Sequence, residues 1–270
     1  MKWFIRLILG GIISSIFFTG MIDAQEKYLG IWSPSFEKER ILADANFKLF
    51  INTNRNLKRK LFRLVDVEVR NQREGVRYYA LWHSGKDSCI FLKDLDWAAF
   101  QAKASELAKK KMRVVDIETY QRGKKRLFLG IWREGKYKQR IFANLNLARF
   151  KNLKEKLGKE KLRVIDLETY TVGNKRLYAG IFRESSRKVD FWFDLDWTTF
   201  QTVRKGMQDK DMTLIDIETY VENGQRKFLG VWMEKKPHNL LSVGLSWDSF
   251  YNKWEKLDRD NLRLVDLEVY

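Results

Sequence analysis

Arg63-Leu64-Val65-Asp66-Val67-Glu68 decides the architecture, because its pattern returns from Arg113, Arg163, Thr213 and Arg263 at a constant spacing of 50 residues. A fixed period of this length marks a repeated supersecondary unit. Within the block, Val65, Val67 and Val69 alternate with Leu64, Asp66 and Glu68, which predicts a strand with two unlike faces.

Working outward, the apolar block Tyr28-Leu29-Gly30-Ile31-Trp32 recurs at 78–82, 128–132, 178–182 and 228–232. It predicts a second strand, joined to the first through the connections that hold Gly75, Gly123, Gly173 and Gly224, so that the two form a hairpin. A polar loop then leads to a third strand at about 89–95 and its equivalents. Phe50, Phe100, Phe150, Phe200 and Phe250 each follow an apolar residue by three positions (Phe47, Trp97, Leu147, Trp197, Trp247). Each also precedes another by seven (Leu57, Leu107, Leu157, Met207, Leu257), which is helical spacing. Asn46, Asp96, Asn146, Asp196 and Ser246 stand where a side chain caps the first helical turn. The expected class is α+β, with five units of 50 residues in the order strand, strand, strand, helix.

The chain enters this pattern at strand two, near Lys27, and leaves it on strand one, Arg263 to Tyr270. An open solenoid needs polar caps at its ends, whereas Leu264, Val265, Leu267 and Val269 form an uncapped apolar strand worth about 1.5–3 kcal/mol per buried side chain. The expectation is therefore a propeller-like ring closed by pairing of the N- and C-terminal strands. Its units would be 263–270 joined to 25–62, then 63–112, 113–162, 163–212 and 213–262, making one domain over 25–270.

Residues 1–24 stand apart. Lys2 and Arg6 flank an apolar run from Leu7 to Met21 that ends in small residues near Ala24, the pattern of a secretory signal peptide cleaved before Gln25. The alternative, an uncleaved anchor, fits less well a short run interrupted by Gly10, Gly11, Ser14 and Ser15. The expected location is secreted or periplasmic, with no stable membrane span after cleavage. The chain has 44% hydrophobic and 14% aromatic residues with only two prolines, which excludes a disordered protein. Its net charge of +17 favours anionic partners. Cys89 is the only cysteine and sits in an apolar run, so it makes no internal disulfide and is expected to be a small buried thiol.

The pattern R-[LV]-[VI]-D-[VIL]-E-[TV]-Y, then [YF]-x-[GA]-[IVL]-[WF], then [DNS]-[WLF]-x-x-F, resembles the bacterial tandem repeat of polyglycine hydrolase-like proteins. It covers essentially all of 25–270. The resemblance implies a secreted bacterial protein whose repeats, in that family, precede a serine β-lactamase-like catalytic domain with an S-x-x-K nucleophile motif. Here the expectation is the repeat region without that domain. Ser185-Ser186-Arg187-Lys188 matches S-x-x-K literally but falls in a polar loop rather than at the start of a buried helix.

The chemistry-bearing pattern is one Asp-x-Glu pair per first strand: Asp66/Glu68, Asp116/Glu118, Asp166/Glu168, Asp216/Glu218 and Asp266/Glu268. Period two places both carboxylates on one face. Arg126, Arg176 and Arg226 on the neighbouring strand are expected to neutralise them in cross-strand pairs. Ten acidic groups facing a central channel could alternatively hold a hard cation through oxygen. Five equal copies suggest a shared packing demand rather than an active site, which one odd residue normally marks. His83 and His238 are expected on the surface, and no phosphate loop or zinc-ligand spacing occurs, so no catalytic, cofactor or metal residue is assigned. Trp32, Trp82, Trp132 and Trp232 end apolar strands and are expected in the core rather than on a stacking platform.

What varies between copies is the loop after strand two. Candidate binding residues lie there: His83, Lys86, Arg133, Lys136, Tyr137, Lys138, Arg183, Arg187, Lys188, Lys235, Lys236 and His238, on one basic rim. The functional expectation is a secreted, non-catalytic binding or scaffold module for an anionic or peptide polymer, or a protein, of an envelope or extracellular surface. A hydrolase or hydrolase accessory is the alternative that the resemblance implies. A nucleic-acid partner is not expected behind a signal peptide, and the oligomeric state stays open.

Overall fold

The computed structural model describes residues 26–270, so the expected signal peptide lies outside the described residues. The chain opens with β1 (Tyr28–Pro34), β2 (Glu39–Ala45) and α1 (Phe47–Arg59). It then repeats strand, strand, strand, helix as β3 (Phe62–Gln72), β4 (Gly75–Ser84), β5 (Cys89–Leu95) and α2 (Trp97–Lys109). Next come β6 (Met112–Arg122), β7 (Lys125–Glu134), β8 (Gln139–Leu145) and α3 (Leu147–Lys159). They are followed by β9 (Leu162–Val172), β10 (Lys175–Glu184), β11 (Val189–Leu195) and α4 (Trp197–Gln208). The last group is β12 (Met212–Glu222), β13 (Gln225–Glu234), β14 (Leu240–Leu245), α5 (Trp247–Arg259) and β15 (Leu262–Val269).

The helices begin where the caps predict. Asn46, Asp96, Asn146, Asp196 and Ser246 each accept a hydrogen bond from the backbone amide three residues on. The phenylalanine series from Phe50 to Phe250 is fully buried beneath those helices. Trp32, Trp82, Trp132 and Trp232 are fully buried as well, so they are core. At Gly130 an added methyl would sit 2.9 Å from the Phe100 ring, and the second strand keeps a small residue where helix and tryptophan converge, glycine in four copies and Ala80 in the other.

The five sheets are three-stranded and antiparallel, in the orders β2-β4-β3, β5-β7-β6, β8-β10-β9, β11-β13-β12 and β14-β1-β15. Strand three therefore joins the hairpin that follows it, not the one before it. The sheet unit is strand three, helix, strand one, strand two, as in 39–84, 89–134, 139–184 and 189–234, so the expected unit 63–112 takes its third strand and its helix from the following sheet. The reason is the loop: four polar residues such as 85–88 carry the chain across to the next sheet, whereas the helix carries it over its own sheet, from strand three at one edge to strand one at the other.

The fifth sheet takes β14 and β15 from the end of the chain and β1 from its start. Tyr28 faces Val269, Gly30 faces Leu267 and Trp32 faces Leu264, and the Lys27 and Tyr270 backbones exchange hydrogen bonds of 2.8 and 2.9 Å. No sheet closes on itself. The first strands pack on one another in sequence, β3 on β6, β6 on β9, β9 on β12, β12 on β15, and β15 on β3.

The apolar cores interlock across sheets. Tyr120, Leu127, Leu129 and Ile131 pack into the core around Phe50, and Tyr79 and Leu81 into the one around Phe250. In every first strand the register slips at one residue, at Val65, Val115, Ile165, Ile215 and Val265. This bulge corrects the strict alternation expected there. The extra residue turns the parity over, so Leu64 shares the core face with Val67 while Asp66 and Glu68 face the other way. Val115 leans instead into the adjacent core.

Candidate functional site

The strands that meet in the middle of the molecule bring the ten carboxylates together. Glu68, Glu118, Glu168, Glu218 and Glu268 line one cavity of about 260 Å³, with Thr119, Thr169 and Thr219 beside them. All five glutamates are at least nine-tenths buried. Their aspartate companions sit deeper in the strand and reach sideways. Asp66 accepts the Leu267 amide at 2.8 Å and Asp216 the Leu167 amide at 3.2 Å, while Asp116 and Asp166 take the Val67 and Ile117 amides. Each of these aspartates thus ties its strand to the first strand of the preceding sheet.

The expected neutralisation by Arg126, Arg176 and Arg226 does not form. These guanidiniums donate to Thr119, Thr169 and Thr219 Oγ1 at 3.2–3.3 Å, and the first two also donate to the Thr171 and Val221 carbonyls. They lie over the rings of Tyr170, Tyr220 and Tyr270. A tyrosine face and a carbonyl fix the guanidinium plane as well as a carboxylate would. Among the described residues, none of the ten carboxylates has a lysine or arginine nitrogen within 4.0 Å.

Burial without a close ion-pair partner shows in the acidities, and among the described basic residues only Arg126 at Glu168 and Arg70 at Glu268 act against it from a distance. Desolvation pushes the Glu168 and Asp66 carboxyls up to about 7. Desolvation first, then repulsion from neighbouring carboxylates, holds Glu68, Glu118 and Glu218 well above the usual range, and likewise Asp116, Asp166 and Asp266. At Glu168 and Glu268 the neighbouring Glu218 carboxyl acts against this rise, easing both acidities downward.

The candidate rim residues lie at the other end of the first strands, with His83, Arg133 and Arg183 on the penultimate residues of β4, β7 and β10 and the rest in the loops that link one sheet to the next. His83 differs in burial. It is buried, with Nδ1 3.1 Å from Glu37 and Nε2 2.8 Å from the Leu264 carbonyl, so it fastens the last sheet to the first instead of facing solvent. Arg133 and Arg183 hold the same register in β7 and β10 and are only partly buried, so it is the approach of Glu37 and the Leu264 carbonyl that makes this position interior in β4. His238 is exposed as expected. Arg133 pairs with Asp87 at 2.8 Å and Lys138 with Glu160 at 3.0 Å, while Lys86, Lys136, Lys188 and Lys235 are exposed.

Four candidates from three loops come together. The Arg183 guanidinium lies 5.1 Å over the Tyr137 ring, and half-buried Lys236 has its ammonium pKa lowered by desolvation and then by Arg187 and Arg183. Between each of α1, α2 and α3 and the third strand of the next sheet (β5, β8 and β11) runs a groove. One of about 510 Å³ is lined by Lys154, Lys159, Arg163 and Lys188, one of about 470 Å³ by Arg55, Lys58 and Lys86, and one of about 630 Å³ by Arg113, Lys138 and Arg140. Ser185 stays in the β10–β11 loop, its Oγ accepting from the Arg187 amide at 3.2 Å. Cys89 is partly buried, its thiol pKa raised by desolvation, with Sγ 3.7 Å from the Leu64 carbonyl.

Sequence reasoning missed the residues that seal the bulges. Glu39 accepts the Leu264 amide at 3.0 Å, Gln139 bridges the Val114 amide and carbonyl, and Asn239 donates to the Leu214 carbonyl. The available signal was polar variation at the first position of strand three. Also missed were Tyr120, Tyr170 and Tyr220, whose hydroxyls reach Asp94, Asn144 and Asp194 just ahead of the helices.

Among the described residues no helix is long and apolar enough to cross a membrane. No curated protein matches the chain. A family model for the polyglycine hydrolase-like structural repeat matches three times, at residues 93–135, 142–185 and 189–235. These segments fall nearly on the sheet units 89–134, 139–184 and 189–234, each containing strand three, helix and hairpin. The chain therefore belongs to the polyglycine hydrolase-like structural repeat family.

Proposed function

We propose that the five units close into a propeller-like ring that serves as a secreted, non-catalytic scaffold, and that its loop rim binds an anionic polymer of an envelope or extracellular surface. The closure draws on the β1–β15 pairing and on the return of β15 to β3. The secreted location draws only on the residues before Gln25.

The observation that carries the binding reading is the Tyr137, Arg183, Arg187 and Lys236 group. Like charges gathered at a half-buried position cost free energy in the empty protein, and a polyanion removes that cost. The basic grooves repeat along the same rim, so a polymer can engage several at once and gain avidity from repetition. The hydrolase alternative rests on the family alone. Ser185 Oγ accepts from the Arg187 backbone amide in a loop, and among the described residues no histidine or lysine is hydrogen-bonded to it.

The test is retention on immobilised heparin across a salt gradient. Elution of the wild type at raised salt, and earlier elution of the Arg183→Ala/Arg187→Ala/Lys236→Ala variant, is expected through screening of the rim charges. Absent or salt-insensitive binding rejects the reading. Mass spectrometry of polyglycine-linked peptides incubated with the protein tests the alternative, which predicts cleavage that is lost on Ser185→Ala.

A further inference from the structure

We propose that the glutamate cavity is a calcium site, formed by the first strands around Glu118, Glu168 and Glu218. One carboxylate oxygen from each of these three lies within 4.8 Å of the others. Oxygens held at about 2.3–2.6 Å from a common calcium ion fall within such a separation. Glu68 and Glu268 line the same cavity and bring the carboxylates around it to five. Calcium takes six to eight oxygens and commonly places five of them in an equatorial ring. Five glutamates from five equivalent strands match that demand better than they match the octahedron of magnesium, or the nitrogen and sulfur preference of zinc.

A cluster of acids alone is not a site, and a second observation points to a ligand here. Glu118, 6% exposed, lines the cavity and accepts no hydrogen bond from a protein donor, so a buried side chain is aimed into it without a partner. Behind it on the same face of β6, Asp116 is held by the Val67 amide and keeps a fully buried Oδ2 without a hydrogen-bond partner, although it does not line the cavity. Arg126 lines the cavity and offsets part of the Glu168 charge, but the guanidiniums of Arg126, Arg176 and Arg226 bond to threonine hydroxyls, backbone carbonyls and tyrosine faces rather than to a carboxylate. A cavity of about 260 Å³ has room for the ion and for several waters at about 30 Å³ each to complete its shell. The aspartates, held by backbone amides of the neighbouring strand, keep the glutamate-bearing strands in register around the ion.

This site shares ring closure with the proposed scaffold but is independent of what the rim binds. The test is calorimetric titration of chelator-stripped protein with calcium chloride, together with thermal melts across calcium concentrations up to about 10 mM, ten times the weak end of extracellular calcium modules. The expected result is one calcium per chain, a melting temperature that climbs with calcium, and a smaller rise with magnesium at equal concentration. Glu118→Gln and Glu168→Gln keep side-chain volume and remove a buried charge, so they are expected to fold while binding calcium at least tenfold more weakly. No binding heat and no thermal shift in the wild type overturn the proposal. So does a calcium response of equal size in both variants. Heparin retention, measured on the same samples, reads the rim separately.

Discussion

The two ends of the first strands differ in charge, in burial and in how strictly the copies agree. At the hairpin end the same Asp-x-Glu pair appears five times, buried and facing its equivalents across a cavity. At the loop end the residues change from copy to copy, stay largely exposed and are mostly basic. Where copies must fit one another, variation is costly, because each side chain packs against its own image in the next unit. Where they meet only solvent, variation is cheap and can encode recognition.

That contrast breaks most completely if the shared interior is opened. Deleting residues 263–270 removes β15, with Leu264, Leu267 and Val269 buried in the core, and strips β1 of one partner. At about 1.5–3 kcal/mol per side chain, against about 5–15 kcal/mol for a whole domain, the loss is expected to abolish cooperative unfolding or drive oligomerisation. Circular dichroism melts and sedimentation check it, and an unchanged melting temperature with monomeric mass would refute closure. Trp132→Ala cuts into one core only, and is expected to cost about 3–5 kcal/mol in chemical denaturation.

The acidic end sharpens the comparison through pH. Glu168 and Asp66 are held near 7 in the folded protein, above their unfolded values, so the folded state binds more protons between those limits. Their contribution to stability is complete below the unfolded values, about 4, and is lost as pH rises through 7. In the absence of calcium the melting temperature is therefore expected to be higher at pH 5 than at pH 8. A melting temperature that rises steadily from pH 5 to 8 would show that the carboxylates are not under strain. The rim lies at the small end of the scale: the Arg183→Ala/Arg187→Ala/Lys236→Ala variant should change stability by no more than about 0.5 kcal/mol per site.

Much of this organisation was legible in the residues. The constant spacing fixed the elements, the helix caps and the buried phenylalanine and tryptophan series. The way the chain ends pair could be anticipated, because strand one and strand two sit at opposite termini. The grouping into sheets could not, since β5 borders a hairpin on either side in sequence and only the reach of the loop and helix decides between them. Nor could the bulge at Val65, because a β-branched residue in an alternating run looks the same whether the register slips there or not. That slip moved Leu64 to the core face. At the site, co-facing of Asp116 and Glu118 followed from period two, but the arginine assignment failed, because adjacency on a neighbouring strand leaves open whether the guanidinium turns to a carboxylate or to Thr119 and Tyr170. His83 shows the same limit: a lone histidine after an apolar strand says nothing of the Leu264 carbonyl that arrives from the far end of the chain.

The most direct measurement of the binding account is heparin retention of the wild type against the Arg183→Ala/Arg187→Ala/Lys236→Ala variant, with melting temperatures taken in parallel. The account predicts salt-reversible retention that the variant loses while its melting temperature shifts by no more than about 3–6 °C, the change that about 0.5 kcal/mol at each of three sites produces. Equal retention of the two proteins, or none by either, would contradict it.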